Sequence, residues 1–228
     1  GRLPHGVGLM RRLRGFTLVE LVVVIMITGI MAASIAVFFV PAVNAYFDTR
    51  RRAEMTDIAD TALRRMARDV RRAVPNSIRI PNAQCFELVP TIAGGLYRRA
   101  ADTVNAGSDP LDVTQPDVGF DVLSPVAGVG PNDFVVVGNQ NTNDVYTGAT
   151  RGQIAAWADP HPTGAALGSA YVTLTAATQF PSGYDGGRFQ VVDDIEQSVF
   201  YICDGAGNLR RLVRAFHAAY PAACPAGG

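Results

Sequence analysis

The 25 residues from Phe16 to Val40 hold a single ionisable side chain, Glu20, and no other segment constrains the chain as tightly. As a helix, such a run crosses the ~30 Å hydrocarbon layer of a bilayer, for which about 20 apolar residues suffice. The core helix of a soluble domain is seldom apolar for so long. A conventional secretory signal has a shorter apolar region followed by a small-residue cleavage site. Met31-Ala32-Ala33-Ser34 imitates such a site, but the run continues through Val37-Phe38-Phe39-Val40. A plain membrane anchor accounts for the length and leaves two features unexplained. One is Glu20, because a carboxylate in a lipid-facing helix is costly and marks a functional position by default. The other is Arg11-Arg12-Leu13-Arg14-Gly15-Phe16, which sets a basic patch and a glycine directly before the apolar run.

Pro41 lacks an N–H and crowds the preceding turn, which predicts a kink there with the helix resuming beyond it. Ile58, Ala62, Met66 and Val70 recur every four residues, and Ala59, Leu63 and Ala73 widen the stripe. That spacing predicts an amphipathic helix whose apolar side packs on the rest of the protein. Arg64, Arg65, Arg68, Arg71 and Arg72 occupy its other faces, interleaved with Asp57, Asp60 and Asp69. The interleaved acids read as a solvated, salt-bridged face and argue against a nucleic-acid partner. The helix is predicted to stop at Val74, since Pro75 disfavours helical conformation in the residue before it.

Beyond Pro75 the pattern changes to short β-type runs: Ser77–Ile80, Phe86–Val89, Asp133–Val137, Ala170–Thr175, Arg188–Asp193, Ser198–Ile202 and Leu209–Arg214. Gly, Pro, Asn and Asp clusters separate them. Gln197–Cys203 and Leu209–Val213, joined by Asp204-Gly-Ala-Gly-Asn208, predict a hairpin with a five-residue loop. Residues 91–132 and 139–168 read as long irregular loops. Charge divides along the same line: residues 1–79 hold 13 Arg and 6 acids, whereas residues 80–228 hold 7 Arg and 14 acids.

A catalytic constellation is not visible. There is no GxSxG nucleophile elbow and no GxxxxGK[ST] loop, and the chain has no Lys at all. His5, His161 and His217 stand in unrelated contexts without ligand spacing and read as exposed imidazoles. The stretch Asn139-Gln-Asn141-Thr-Asn143-Asp144 and the pair Asp193-Asp194 offer oxygen ligands of the kind Ca²⁺ takes, yet they read as turn residues. No metal and no cofactor is therefore assigned. The three cysteines, Cys85, Cys203 and Cys224, lack metal-ligand spacing. In an exported head, Cys203–Cys224 is the disulfide expected, since a turn would bring those ends together; the odd count leaves one thiol over.

The segment Arg11–Val40 resembles the N-terminus of type IV prepilins and type II secretion pseudopilins. The resemblance implies an α+β, type IV pilin-like fold: a long N-terminal helix, half membrane-embedded and half amphipathic, packed on an antiparallel β-sheet head. It implies that residues 1–15, with Arg11, Arg12 and Arg14, form a basic leader. A prepilin peptidase and methyltransferase would cut between Gly15 and Phe16 and N-methylate Phe16. Residues 16–40 would then be the transmembrane and filament-core helix, 41–74 its amphipathic continuation, and 75–228 the periplasmic head. Glu20 would pair with the Phe16 amine of a neighbouring subunit during assembly. Four residues apart, Phe16 and Glu20 are expected on one helical face.

Arginines flank both ends of the apolar run, so their count orients it weakly. The resemblance implies a single-pass inner-membrane protein with its N-terminus cytoplasmic, later incorporated into a pilus or pseudopilus. The implied partners are membrane lipid, other major and minor pilins, and the inner-membrane assembly platform. Thr61–Pro75 resembles the helix end of the J-type pseudopilin group. Cys85-Phe-Glu-Leu-Val-Pro90, Gly95-Leu-Tyr-Arg98, Val199–Cys203 and Leu209–Val213 are similar to a minor pilin-like group of mannose-sensitive haemagglutinin (MSHA) pilus systems. The implied role is filament initiation or a place at the tip, not enzymatic catalysis. A minor pseudopilin of type II secretion shares these features, and a signal-anchored periplasmic binding protein or enzyme is the reading from another class. The chain departs from similar proteins by starting at Gly1 and stopping at Gly228 before further sheet strands, which implies a fragment with an open sheet edge.

Overall fold

A computed structural model describes residues 15–183 and 186–226, which divide into two compact units at Asp60 and Thr61. The first unit is helical. Helix α1, Leu18–Arg71, begins in it, and all of its residues up to Asp60 are exposed. The hydroxyls in this stretch are satisfied within the helix: Thr28 donates to the Val24 carbonyl at 2.8 Å and Ser34 to that of Ile30 at 2.9 Å. From Leu21 onward, a helix so arranged satisfies its main-chain N–H groups and these hydroxyls within itself along its apolar length. Pro41 does not break it; α1 is one continuous element.

The second unit, residues 61–228, opens with the end of α1. The helix closes at Arg71, three residues before the predicted stop. Arg72 N–H reaches the carbonyls of both Arg68 and Asp69, a tightened last turn. Val74 is instead taken into a β-type contact, donating to Val89 O at 2.8 Å, so the main chain leaves the helix before Pro75 can end it.

The α+β class holds, with two antiparallel sheets where one was expected. Four strands run in the order β1 (Arg79–Asn82), β2 (Cys85–Leu88), β9 (Ser198–Cys203) and β10 (Leu209–Arg214). Because side chains alternate across a strand, this sheet has two buried faces. Leu88, Val199 and Tyr201 face one way and receive Met66 from the end of α1 and Ala73 from just past it. Cys85, Phe200 and Ile202 face the other way, beneath Cys224 of the C-terminal tail. Only part of the predicted helical stripe is used: Met66 packs, whereas Leu63 and Val70 stay exposed.

The second sheet has the order β3 (Ala93–Leu96), β8 (Arg188–Val192), β5 (Phe134–Val137), β6 (Arg151–Ala158), β7 (Ala170–Thr178) and β4 (Asp117–Val122). Its two end strands also meet. Tyr97 bridges Val122, Leu123 N–H donates to Leu96 O at 2.8 Å, and Arg98 N–H donates to Asp121 O at 3.0 Å. The ladder thus closes into a small barrel, filled by Phe120, Val135, Ile154, Val172, Phe189 and their neighbours. A third cluster of Val74, Val89, Val136, Val192 and Tyr146 joins barrel and four-stranded sheet; Tyr146 comes from the one-turn helix α2, Asp144–Thr147.

One loop carries a pH marker. Asp102 accepts the main-chain N–H groups of Val104 (2.8 Å) and Asn105 (3.0 Å). Those bonds, with the Asn105 amide and Arg98, hold its carboxyl down at about 2 from the ordinary 3.8. A depressed carboxylate contributes to the folded loop above its unfolded pKa, and the contribution is lost as pH falls through the folded one. The Val104 and Asn105 amide resonances are expected to titrate with a midpoint near 2; a midpoint near 3.8 would show that these bonds do not hold the loop.

Candidate functional site

The site begins at the N-terminal end of α1, where Gly15 and Phe16 precede the first helical turn and Phe16 is 78% exposed. Thr17 caps the helix: its Oγ1 accepts Glu20 N–H at 3.3 Å, and its carbonyl accepts Leu21 N–H at 3.1 Å. Thr17 and Glu20 stand at the spacing of a capping box, in which a hydroxyl at the cap serves the third helical N–H. The cap corrects one expectation. Phe16 lies outside the helix, so it and Glu20 do not share a helical face by i,i+4 spacing; Glu20 instead sits in the first turn, near the positive end of the helix dipole. Sequence reasoning passed over Thr17, although Thr-x-x-Glu ahead of an apolar run is a legible signal.

From Leu18 to Val40 the helix buries nothing, and it is long and apolar enough to cross a membrane. Its surface carries Leu21, Ile25, Ile27, Phe38 and Phe39 with between half and three quarters of each side chain exposed. Arg11, Arg12 and Arg14 lie outside the described residues, as does His5.

The cysteines overturn the expected pairing. Cys85 bonds to Cys224, with Cα atoms 5.8 Å apart, and Cys203 is free and exposed. Strand alternation is the cause. Cys85 stands opposite Ile202 in the ladder, so their side chains share the face that the tail crosses, while Cys203, one residue on, faces away.

His161 is likewise not an exposed imidazole; it is 5% exposed. Its Nδ1 faces the Thr163 N–H at 3.3 Å, which places the proton on Nε2, 3.0 Å from Asp121 Oδ1. Asp121 also accepts Arg98 Nε at 2.8 Å and the Asp109 N–H at 3.0 Å. This buried network ties the 98–112 loop to the segment after β6. Nothing local in Pro160-His161-Pro162 signals it, because Asp121 is 40 residues away.

The Asn and Asp clusters act as turn residues. Asp193 Oδ1 accepts the Ile195 and Glu196 N–H groups, and Asp144 Oδ2 accepts the Asn141 N–H. Carboxylate oxygens of Asp133, Asp193 and Asp194 lie within 4.8 Å of one another, but those of Asp133 already accept the Gly130 and Asp194 N–H groups.

Arg79 is the other residue that sequence reasoning missed. It is fully buried, 3.5 Å from Glu87, with its guanidinium 3.4 Å from the centre of the Tyr146 ring. It donates to the His217 carbonyl at 2.9 Å and to those of Ala218 and Ala219 at 3.3 Å, and it bonds Asn143. One side chain thereby clamps the tail to the head. Burial pushes the Glu87 carboxyl up from its ordinary value, opposed by Ser198 and Arg79.

Residues 10–36 match the model of the prokaryotic N-terminal methylation motif. The match supports a type IV pilin-like or pseudopilin protein, processed by a prepilin peptidase and assembling with other pilins. The long apolar helix and antiparallel sheets agree with the type IV pilin fold. No curated protein and no solved structure matches the chain significantly.

Proposed function

We propose that the chain is a minor pilin-like subunit that enters a type IV pilus of the MSHA kind through its N-terminal helix, at filament initiation or at the tip. The observation that carries the reading is an exposed apolar helix opening on Gly15-Phe16, with Glu20 in its first turn. Residues 1–15 are the leader, cleavage falls between Gly15 and Phe16, and the new Phe16 amine is N-methylated. The protein is then the substrate of an enzyme and needs no catalytic site of its own. Before assembly the 16–40 helix is held in the inner membrane with the head in the periplasm. Within a filament, each Glu20 meets the amine of an adjoining subunit. Two opposite charges out of water each cost several kcal/mol alone and offset one another when paired.

Mass spectrometry of the purified protein tests the first step. With the peptidase present, the N-terminal peptide is expected to start at a methylated Phe16; without it, the leader remains. A leader retained in both strains would overturn the proposal. The motif describes a type II secretion pseudopilin equally well, and recovery of the subunit in sheared surface pili is the result that selects the pilus.

A further inference from the structure

We infer that β10 is a docking edge for an extended, acidic segment of a partner protein, which adds to the four-stranded sheet as a fifth strand. The barrel closes on itself through the Tyr97 and Val122 bridge, leaving no end strand there. At the other end of the four-stranded sheet, the tail serves β1: Tyr220 Oη accepts the Ile80 N–H at 2.9 Å. β10 is different. The Asp204 N–H donates to Asn208 O at 3.2 Å, and the Cys203 N–H donates across to Gln84 O at 2.8 Å. With Leu209 opposite Cys203, this register makes Arg210, Leu212 and Arg214 the residues that exchange main-chain bonds with β9. The N–H and C=O groups of Leu209, Arg211 and Val213 therefore point outward, and none has a main-chain partner among the described residues. Three donors and three acceptors in a row form a template for strand addition.

Side chains select the occupant. Arg210 and Arg214 lie on one face of β10 with Leu212 between them, and both are exposed. Arg210 has only a loose 3.7 Å contact to Asp204 with half its side chain in water, an interaction cheaply given up. Arg211, on the other face, is held by Glu196 (2.9 Å) and Asp69 (3.1 Å). A second copy pairing antiparallel through β10 about Leu212 would set Arg210 against Arg214 twice, and like charges directly opposite destabilise a sheet. A strand reading acid, apolar, acid at alternate positions meets Arg210, Leu212 and Arg214 with complementary groups.

The full chain in detergent micelles is titrated with fluorescein-labelled acetyl-Thr-Glu-Thr-Val-Thr-Glu-Thr-amide and with its Lys-for-Glu counterpart. The acidic peptide is expected to bind at least tenfold more tightly and to slow hydrogen exchange at the Leu209, Arg211 and Val213 amides. Val213→Pro removes one outward N–H and no bond to β9, so it is expected to weaken binding about tenfold in a folded sheet. Arg210→Glu combined with Arg214→Glu is expected to reverse the preference between peptides. Equal binding of both peptides, or binding that leaves the three amides unprotected, would overturn the inference. If Val213→Pro loses its near-UV dichroism, the arginine reversal alone decides: a retained preference for the acidic peptide sinks the idea.

Discussion

Glu20→Ala is expected to leave removal of the leader intact and to cut incorporation of the subunit into filaments by about 100- to 4,000-fold. On the proposed processing, the scissile bond lies between Gly15 and Phe16, and Glu20 is not part of it. In the proposed filament, the substitution leaves a Phe16 amine out of water without its carboxylate. Breaking a buried pair from one side costs about 3–5 kcal/mol, and each 1.4 kcal/mol is a factor of ten in association. Glu20 also sits near the positive end of the helix dipole, but that placement is worth only about 0.3–1 kcal/mol. The two roles are therefore separable by magnitude. Glu20→Gln keeps the shape and loses the charge, so it should fail as Glu20→Ala does, whereas Glu20→Asp should recover part of the loss. The measurement is the ratio of subunit in sheared filaments to subunit in the membrane. An unchanged ratio for Glu20→Ala would end the pairing hypothesis.

Arg79→Met is expected to destabilise the head by about 3–5 kcal/mol, because it removes the ion-pair partner of the buried Glu87 and leaves it the charge of Arg214. It also frees the carbonyls of His217, Ala218 and Ala219 and removes the cation stacked on Tyr146. For a domain of this size, each kcal/mol lowers Tm by roughly 2–4 °C, so a drop on the order of 10 °C follows. The deficit should depend on pH in a definite direction. Glu87 already has its pKa raised by burial. In the variant the folded state binds that proton still more readily than the unfolded chain, so acidification towards 4.5 favours folding and the deficit shrinks; at pH 8 it is largest. The double variant Arg79→Met with Glu87→Leu should regain most of the loss, since a packed apolar pair replaces a buried ion pair at little cost. Near-UV dichroism melts at pH 5 and pH 8 check both statements. A Tm change below about 2 °C would mean that the clamp contributes little.

The parts of this protein that were legible in its sequence are those whose signal is local. The apolar run, the hairpin from Gln197 to Val213 and most strands declare themselves by period and by turn residues. The strands Ala93–Leu96 and Arg151–Ala158 do not, and neither does Asp117–Val122, which lies in a stretch that reads as an irregular loop. The first is Ala-Gly-Gly-Leu, with two residues that weaken any strand in isolation. The second, Arg-Gly-Gln-Ile-Ala-Ala-Trp-Ala, lacks clean alternation and carries a register shift between Ile154 and Ala156. Both are strands because neighbours on each side supply main-chain partners, which no window of the sequence contains. The Cys85 and Cys224 bond depends on which face of β2 the tail crosses. Arg79 and His161 are buried by partners 138 and 40 residues distant. At the N-terminal end of α1, the capping role of Thr17 fixes where the helix starts, and with it the place of Phe16 ahead of the first turn.

The bond between Cys85 and Cys224, 139 positions apart in sequence, closes a ring that contains every strand of the barrel. A protease that nicks any surface loop inside that ring produces two pieces that remain one molecule. Durability against proteolysis then rests on linkage as well as on folding: cuts in the 98–112 or 159–169 loops would register as fragments only after reduction.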